Sequence, residues 1–134
     1  MTDPEPFLLA VHPVHIGLGA TVTRLEAFTG DASWYERYGR QVADDGAEGR
    51  LVSLHTFTEP WSTWEVHPNG DELVFCTAGA ITVHQETDDG VRTVTLQAGE
   101  AIVNPPGVWH TADVSGTATV LFVTTGLGTE NKDR

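Results

Sequence analysis

Cysteine is nearly absent: Cys76 stands alone in 134 residues. One thiol cannot close an internal disulfide, so a disulfide-stapled secreted scaffold is excluded and a reducing cytoplasm is the expected setting. Cations are scarce too, with seven Lys and Arg against 19 Asp and Glu, a formal net charge of −12. Binding nucleic acid or an anionic membrane needs cations that neutralise phosphates, and no Lys/Arg cluster supplies them. Neither partner is expected. The acidity is scattered rather than blocked, which serves solubility. No apolar run approaches the roughly 20 residues of a membrane-spanning helix. The opening Met1-Thr2-Asp3-Pro4-Glu5-Pro6 is acidic and Pro-rich, the opposite of the basic start of a secretion signal. The length suits one domain with one core, spanning 1–134, and no internal repeat divides it.

What is there reads as β-structure with one interruption. Residues 7–11 form a short apolar run that predicts an opening strand, and 21–28 alternate as a second. His12 and His15 are separated by Pro13-Val14; Pro13 argues against a helix, so the pair is read as structural or exposed. Near 33–45 the period changes. Ser33 and Glu36 have capping-box spacing, Trp34, Tyr38 and Val42 fall four apart, and Asp44-Asp45-Gly46 supplies a stop. This predicts one short helix whose aromatic stripe packs over the outside or one end of a β-structure, with a lid role for Trp34 or Tyr38 as the sharper alternative. From Arg50 onward short strand-like segments alternate with turn signals, and 126–134 reads as a loose, flexible tail. About ten strands of five to six residues make an all-β, double-sheet jelly roll.

Two stretches carry the chemistry. In Trp64-Glu65-Val66-His67-Pro68-Asn69-Gly70-Asp71-Glu72, strand alternation sends Glu65 and His67 to one face, and Asn69-Gly70 reverses the chain so that Glu72 returns beside them. In Pro105-Pro106-Gly107-Val108-Trp109-His110, a corner that cannot be regular structure delivers His110 to a strand start. Two imidazoles and two carboxylates converging from strand ends suit a divalent first-row metal. If Glu72 faces inward, Val74 and Cys76 follow it, and Ala112 follows His110; these are the expected apolar walls of a substrate cavity. His55 is a candidate to line it. No base or cation adjoins Cys76 in the sequence, so it reads as an inert small hydrophobe. Asp71, Trp64 and Trp109 point away, the two Trp as outer-sheet or subunit-interface packing.

The two stretches resemble the paired motifs of the cupin superfamily. His67, four residues, Glu72, six residues and Gly79 fit the first motif; Gly99, Pro105, Gly107 and His110 fit the second. Two departures stand out: Glu65 occupies the place of the family's first His, and Val114 that of its usual closing Asn. The resemblance covers 64–114 and implies a double-stranded β-helix (jelly-roll) barrel, a homodimer built through sheet edges, and one divalent transition metal per chain. Two His and a carboxylate are associated with Fe(II); Glu65 makes the set harder and points to Fe, Mn or Zn, with Ni admissible, over soft Cu(I). Glu65 either ligates the metal or acts as general base. The implied function is a metal-dependent enzyme of dioxygenase, isomerase or lyase type, acting on a small organic molecule in the barrel cavity. The alternative is a non-catalytic ligand-binding or sensor protein. A sugar-nucleotide epimerase is disfavoured, because basic residues for phosphate are missing.

Overall fold

A computed structural model describes residues 5–134. Among these the chain forms β1 (Val14–Gly17), β2 (Thr21–Arg24), α1 (Ala32–Gln41), β3 (Arg50–Phe57), β4 (Thr63–Val66), β5 (Glu72–Thr87), β6 (Gly90–Gln97), β7 (Ala101–Asn104), β8 (His110–Asp113), β9 (Ala118–Thr124) and β10 (Glu130–Asp133). The architecture is the expected jelly roll of two antiparallel sheets. One runs β2-β1-β3-β9-β5-β7, the other β10-β4-β8-β5-β6. The path from β10 to β2 does not return on itself, so the sheet is not closed.

Strand β5 belongs to both sheets. Its first half pairs with β7 and β9, its second with β6 and β8, and the register slips between Cys76 and Ala78. Such a bulge lets one strand bend from sheet to sheet. Gly79 follows at φ 73°, and a Cβ there would run into the Thr117 carbonyl, so both the turn and the close approach require glycine.

Alternation along β5 buries Glu72, Val74 and Cys76 and, past the bulge, Ile81 and Val83. These apolar side chains pack with Leu96, Ala112, Val114, Ala118, Val120 and Phe122 between the sheets. A second cluster, Leu25, Trp34, Tyr38 and Leu51, forms where α1 lies on the first sheet. The predicted aromatic stripe of the helix is thus its buried face.

Local expectations differ in five places. The apolar 7–11 run is turn rather than strand: Val11 and His12 N–H both return to the Leu8 carbonyl, and Leu8 has no buried face. The second strand ends at Arg24, because Leu25 turns into the helix cluster. The helix is capped by Asp31, whose Oδ1 accepts from Trp34 N–H at 2.9 Å; Ser33 donates to that same oxygen. The helix ends at Gln41, and 43–48 form a 3-10 segment kinked at Gly46. The stretch 126–134 is not a loose tail: it holds β10, which pairs with β4 in the register Asn131↔Glu65 and Lys132↔Trp64.

Candidate metal centre

Backbone register assembles the site. Glu65 on β4 stands directly across from His110 on β8, so the two share a face. His67 follows Glu65 by two positions on the same face. The Asn69-Gly70 turn is held tight, since Asn69 Nδ2 donates to the Leu127 carbonyl at 2.8 Å and a Cβ on Gly70 would strike the Thr125 hydroxyl. Glu72 then opens β5 with Asn104 of β7 opposite on one side and Thr124 of β9 on the other. Both neighbours face inward with it. Asn104 Nδ2 donates to Glu72 Oε1 at 3.0 Å, and Thr124 Oγ1 donates to Oε2 at 2.7 Å.

The result is the convergence expected from the sequence. The His67 and His110 rings lie with centroids 5.1 Å apart. Glu72 Oε2 is 3.2 Å from His67 Nε2, and Oε1 is 3.2 Å from His110 Nε2. Glu65 Oε2 is 3.8 Å from the first Nε2 and 3.9 Å from the second. Ligand atoms of Glu65, His67 and His110 all lie within 4.8 Å of one another. Both Nε2 atoms are buried, and neither has a hydrogen-bond partner among the described residues. The Glu72 oxygens lie 3.2 Å from both nitrogens, while Asn104 and Thr124 supply their hydrogen bonds.

Orphaned buried nitrogens cost about 1–3 kcal/mol each. Two of them beside two carboxylates make a donor set that fits a divalent first-row cation. His110 supports this: its Nδ1 is 3.2 Å from the Val108 carbonyl, which can only accept, so in the neutral ring Nδ1 holds the proton and Nε2 the lone pair.

Charge is tuned accordingly. Burial alone would raise the Glu72 pKa, but the two imidazoles hold it far below the ordinary carboxylate range. Burial disfavours a charged His110, yet contact with Glu72 wins and raises its pKa. Glu65 is raised, first by burial and then by the charge of Glu72, with the two His pulling the other way.

A cavity of about 1000 Å³ opens onto this centre. Its walls include His55, Phe57 and Phe122 from the sheets, Trp61 from the β3–β4 connection and Tyr35, Glu36 and Tyr38 from α1, and among the described lining residues there is no Lys or Arg. His55, an expected lining residue, is there: its ring packs 4.9 Å from Phe28 and 6.0 Å from Phe122, and burial lowers its pKa. Tyr38 borders the cavity while Trp34 is sealed beneath it. Val74, Cys76 and Ala112 face inward as alternation requires, but they do not form cavity wall. They sit in the closed core, because β9 and β6 fill that part of the interior with Val120 and Leu96. The thiol of Cys76 is raised by burial, in keeping with an inert role. His12 and His15 are structural as read: His12 Nδ1 bonds the Leu25 carbonyl, and buried His15 bridges Tyr38 and Asp45. Trp64 and Trp109 lie on the outer face, where Lys132 covers both rings at 5.7 and 4.5 Å.

Four residues were not singled out from sequence. Asn104, Thr124, Thr129 and Tyr35 all touch or face the centre; Thr129 Oγ1 lies 2.9 Å from His67 Nδ1, and the Tyr35 pKa is raised by burial and by the charge of Glu65. Asn104 precedes the Pro-Pro-Gly corner and could have been flagged by that position; the others depend on register.

The family model of the cupin domain matches residues 57–126. No curated protein matches the chain. Among solved structures, similarity extends to a cupin-2 domain containing protein from Shewanella frigidimarina NCIMB 400, at 24% identity over 57% of this chain and 70% of that one, with a TM-score of 0.49. Recombinant oxalate oxidase in complex with glycolate is 19% identical over 60% of this chain and 45% of its own, with a TM-score of 0.53. Hydroquinone 1,2-dioxygenase from Sphingomonas sp. TTNP3 with 4-hydroxybenzoate bound is 18% identical over 56% of this chain and 58% of its own, with a TM-score of 0.49. At these identities the likeness is one of fold, and the chain spans less than half of the oxalate oxidase it matches.

Proposed function

This chain belongs to the cupin family, and from that premise we propose that it is a metal-dependent enzyme acting on a small organic molecule held in the cavity above Glu65, His67, Glu72 and His110. The observation that carries the reading is the pair of buried imidazole Nε2 atoms without a hydrogen-bond partner, turned toward two carboxylates.

A divalent Fe, Mn, Zn or Ni ion bound there supplies Lewis acidity or an oxygen-binding centre, the chemistry of dioxygenases, isomerases and lyases. His67 and His110 would hold it by Nε2, with Glu72 as the fixed carboxylate. Glu72 is immobilised by two hydrogen bonds, so it contributes charge in one place. Glu65 carries no such pair of bonds and its pKa is raised, which suits a group that ligates or that accepts a substrate proton on Oε2. Tyr35 lines the same cavity and its pKa is raised, so its hydroxyl stays protonated and can donate to a bound substrate.

The aromatic side chains Phe57, Trp61 and Phe122 pack ring against ring at 5.6 to 6.1 Å, forming a firm apolar wall that orients a substrate and excludes water. Without Lys or Arg on the described wall, a phosphate would have no cationic partner. We therefore favour an unphosphorylated substrate. A reducing cytoplasm suits the buried single thiol, and the exposed edge strand β2, with Val22 beside Ile16, suits a homodimer. Among the described residues no helix is long and apolar enough to cross a membrane.

Elemental analysis of protein expressed in supplemented medium tests the centre. About one transition metal per chain is expected, lost in His110→Ala. Near-zero occupancy in the parent would overturn the reading and leave a metal-free ligand binder. Oxygen uptake by the Fe(II) form with diketones, thiols or catechols separates dioxygenase from isomerase or lyase chemistry.

A further inference from the structure

The segment 126–129 is fastened to the turn that follows His67. Asn69 Nδ2 donates to the Leu127 carbonyl at 2.8 Å, and Gly128, at φ 77°, lies so close that a Cβ would approach Asn69 Nδ2 to 2.9 Å. Beyond it β10 runs along β4, setting Asn131 opposite Glu65. The one residue of this segment that reaches the imidazole is Thr129.

Its hydrogen count is decisive. A hydroxyl has a single proton, and Thr129 Oγ1 donates it to the Gly126 carbonyl at 3.1 Å, which can only accept. The same Oγ1 is 2.9 Å from His67 Nδ1. Both contacts are hydrogen bonds at once only when Oγ1 accepts from His67, the arrangement that puts the hydrogen on Nδ1 and the lone pair on Nε2. Local electrostatics push the other way: Glu72 Oε2 at 3.2 Å and Glu65 Oε2 at 3.8 Å both favour a proton on Nε2. We propose that Thr129 is a positioning residue, which selects the tautomer of His67 that leaves Nε2 free to bind a metal. The consequence for metal rests on the function proposed above, whereas the tautomer itself does not.

Two variants and two readouts test this. In the metal-free parent at about pH 8, long-range ¹H–¹⁵N spectra should show His67 protonated at Nδ1 and not at Nε2. Thr129→Val, which keeps the shape and removes the hydroxyl, should shift population to the Nε2-protonated form and weaken Zn(II) binding about tenfold in a competition titration. Thr129→Ser should restore both. The His110 signal, held by the Val108 carbonyl, should not move and reports that the site is still folded. A parent already protonated at Nε2 overturns the proposal without recourse to any variant, and so does a Val variant that keeps the parent tautomer. A parent with the expected tautomer that binds no Zn(II) removes the proposed function and leaves the role of Thr129 standing.

Discussion

Asn104 Nδ2 donates to Glu72 Oε1 at 3.0 Å, while its own Oδ1 accepts from Gln85 Nε2 at 2.7 Å. All three side chains are buried, and Gln85 sits directly opposite His110 on β8. The carboxylate is therefore aimed by a chain of amides running behind the site. Asn104→Leu removes the middle member and strips Glu72 of one donor. A loss of about 1–3 kcal/mol in urea unfolding is expected. Metal affinity should fall by about 10- to 100-fold, by analogy with other groups that orient ligands. Unchanged affinity would show that Glu72 needs no such support.

The acid–base pair gives a signed pH dependence. Glu72 is depressed below its ordinary 4.5, so its contribution to stability is present above that value and disappears as pH falls through the lower folded value. His110 is raised above 6.5, so its contribution is complete below 6.5 and disappears as pH rises through the folded value. Thermal scans of metal-free protein should thus show this pair at full strength between 4.5 and 6.5. Metal binding must displace the His110 proton and runs the opposite way: apparent Zn(II) affinity should rise about tenfold or more between roughly pH 6 and 8. A flat profile would count against His110 as a ligand.

Tyr38 donates its hydroxyl to His15 Nδ1 at 2.8 Å, and His15 Nε2 meets Asp45 Oδ2 at 2.6 Å. This brace ties α1 and the 3-10 segment after it to β1. The phenol pKa is pushed up by burial and by the charge of Asp45, so it stays a donor. Tyr38→Phe should cost about 1–2 kcal/mol by leaving a buried ring nitrogen unpaired, with metal stoichiometry unchanged. Loss of metal in this variant would mean that the helix supports the centre rather than merely roofing the cavity.

Gly79→Ala combines a positive φ with a collision against the Thr117 carbonyl. Backbone cannot retreat as a flexible side chain can, so destabilisation of about 3 kcal/mol or more is expected in chemical denaturation. Gly90→Ala, also at positive φ but with open space around its Cβ, should cost less.

Local geometry explains which of these features could be read from the chain. Two-residue alternation puts Glu65 with His67 and turns Glu72 inward, and the glycine and proline corners are marked by residue type, so the meeting of His67 and His110 was legible. Register was not. Nothing near Glu72 in sequence says that Asn104 and Thr124 will flank it, since both come from strands 32 and 52 residues away. Alternation also told which way Val74, Cys76 and Ala112 point, but not that Val120 and Leu96 would fill the space before them. At the helix start two acceptors competed, and the carboxylate of Asp31 displaced the Ser33 hydroxyl. The segment 126–134 looked loose because its polar residues bury nothing; its order comes from backbone pairing with β4 and from Lys132 lying over Trp64 and Trp109.

The bend at Cys76–Ala78 makes the two halves of β5 inseparable. Adding or deleting one residue on either side of it would reverse the facing of every side chain downstream, exchanging core for solvent in both layers at once. Length variation in this molecule is therefore confined to its connections, such as the two-residue hairpin at 88–89, while the span that begins with Glu72 must be inherited whole.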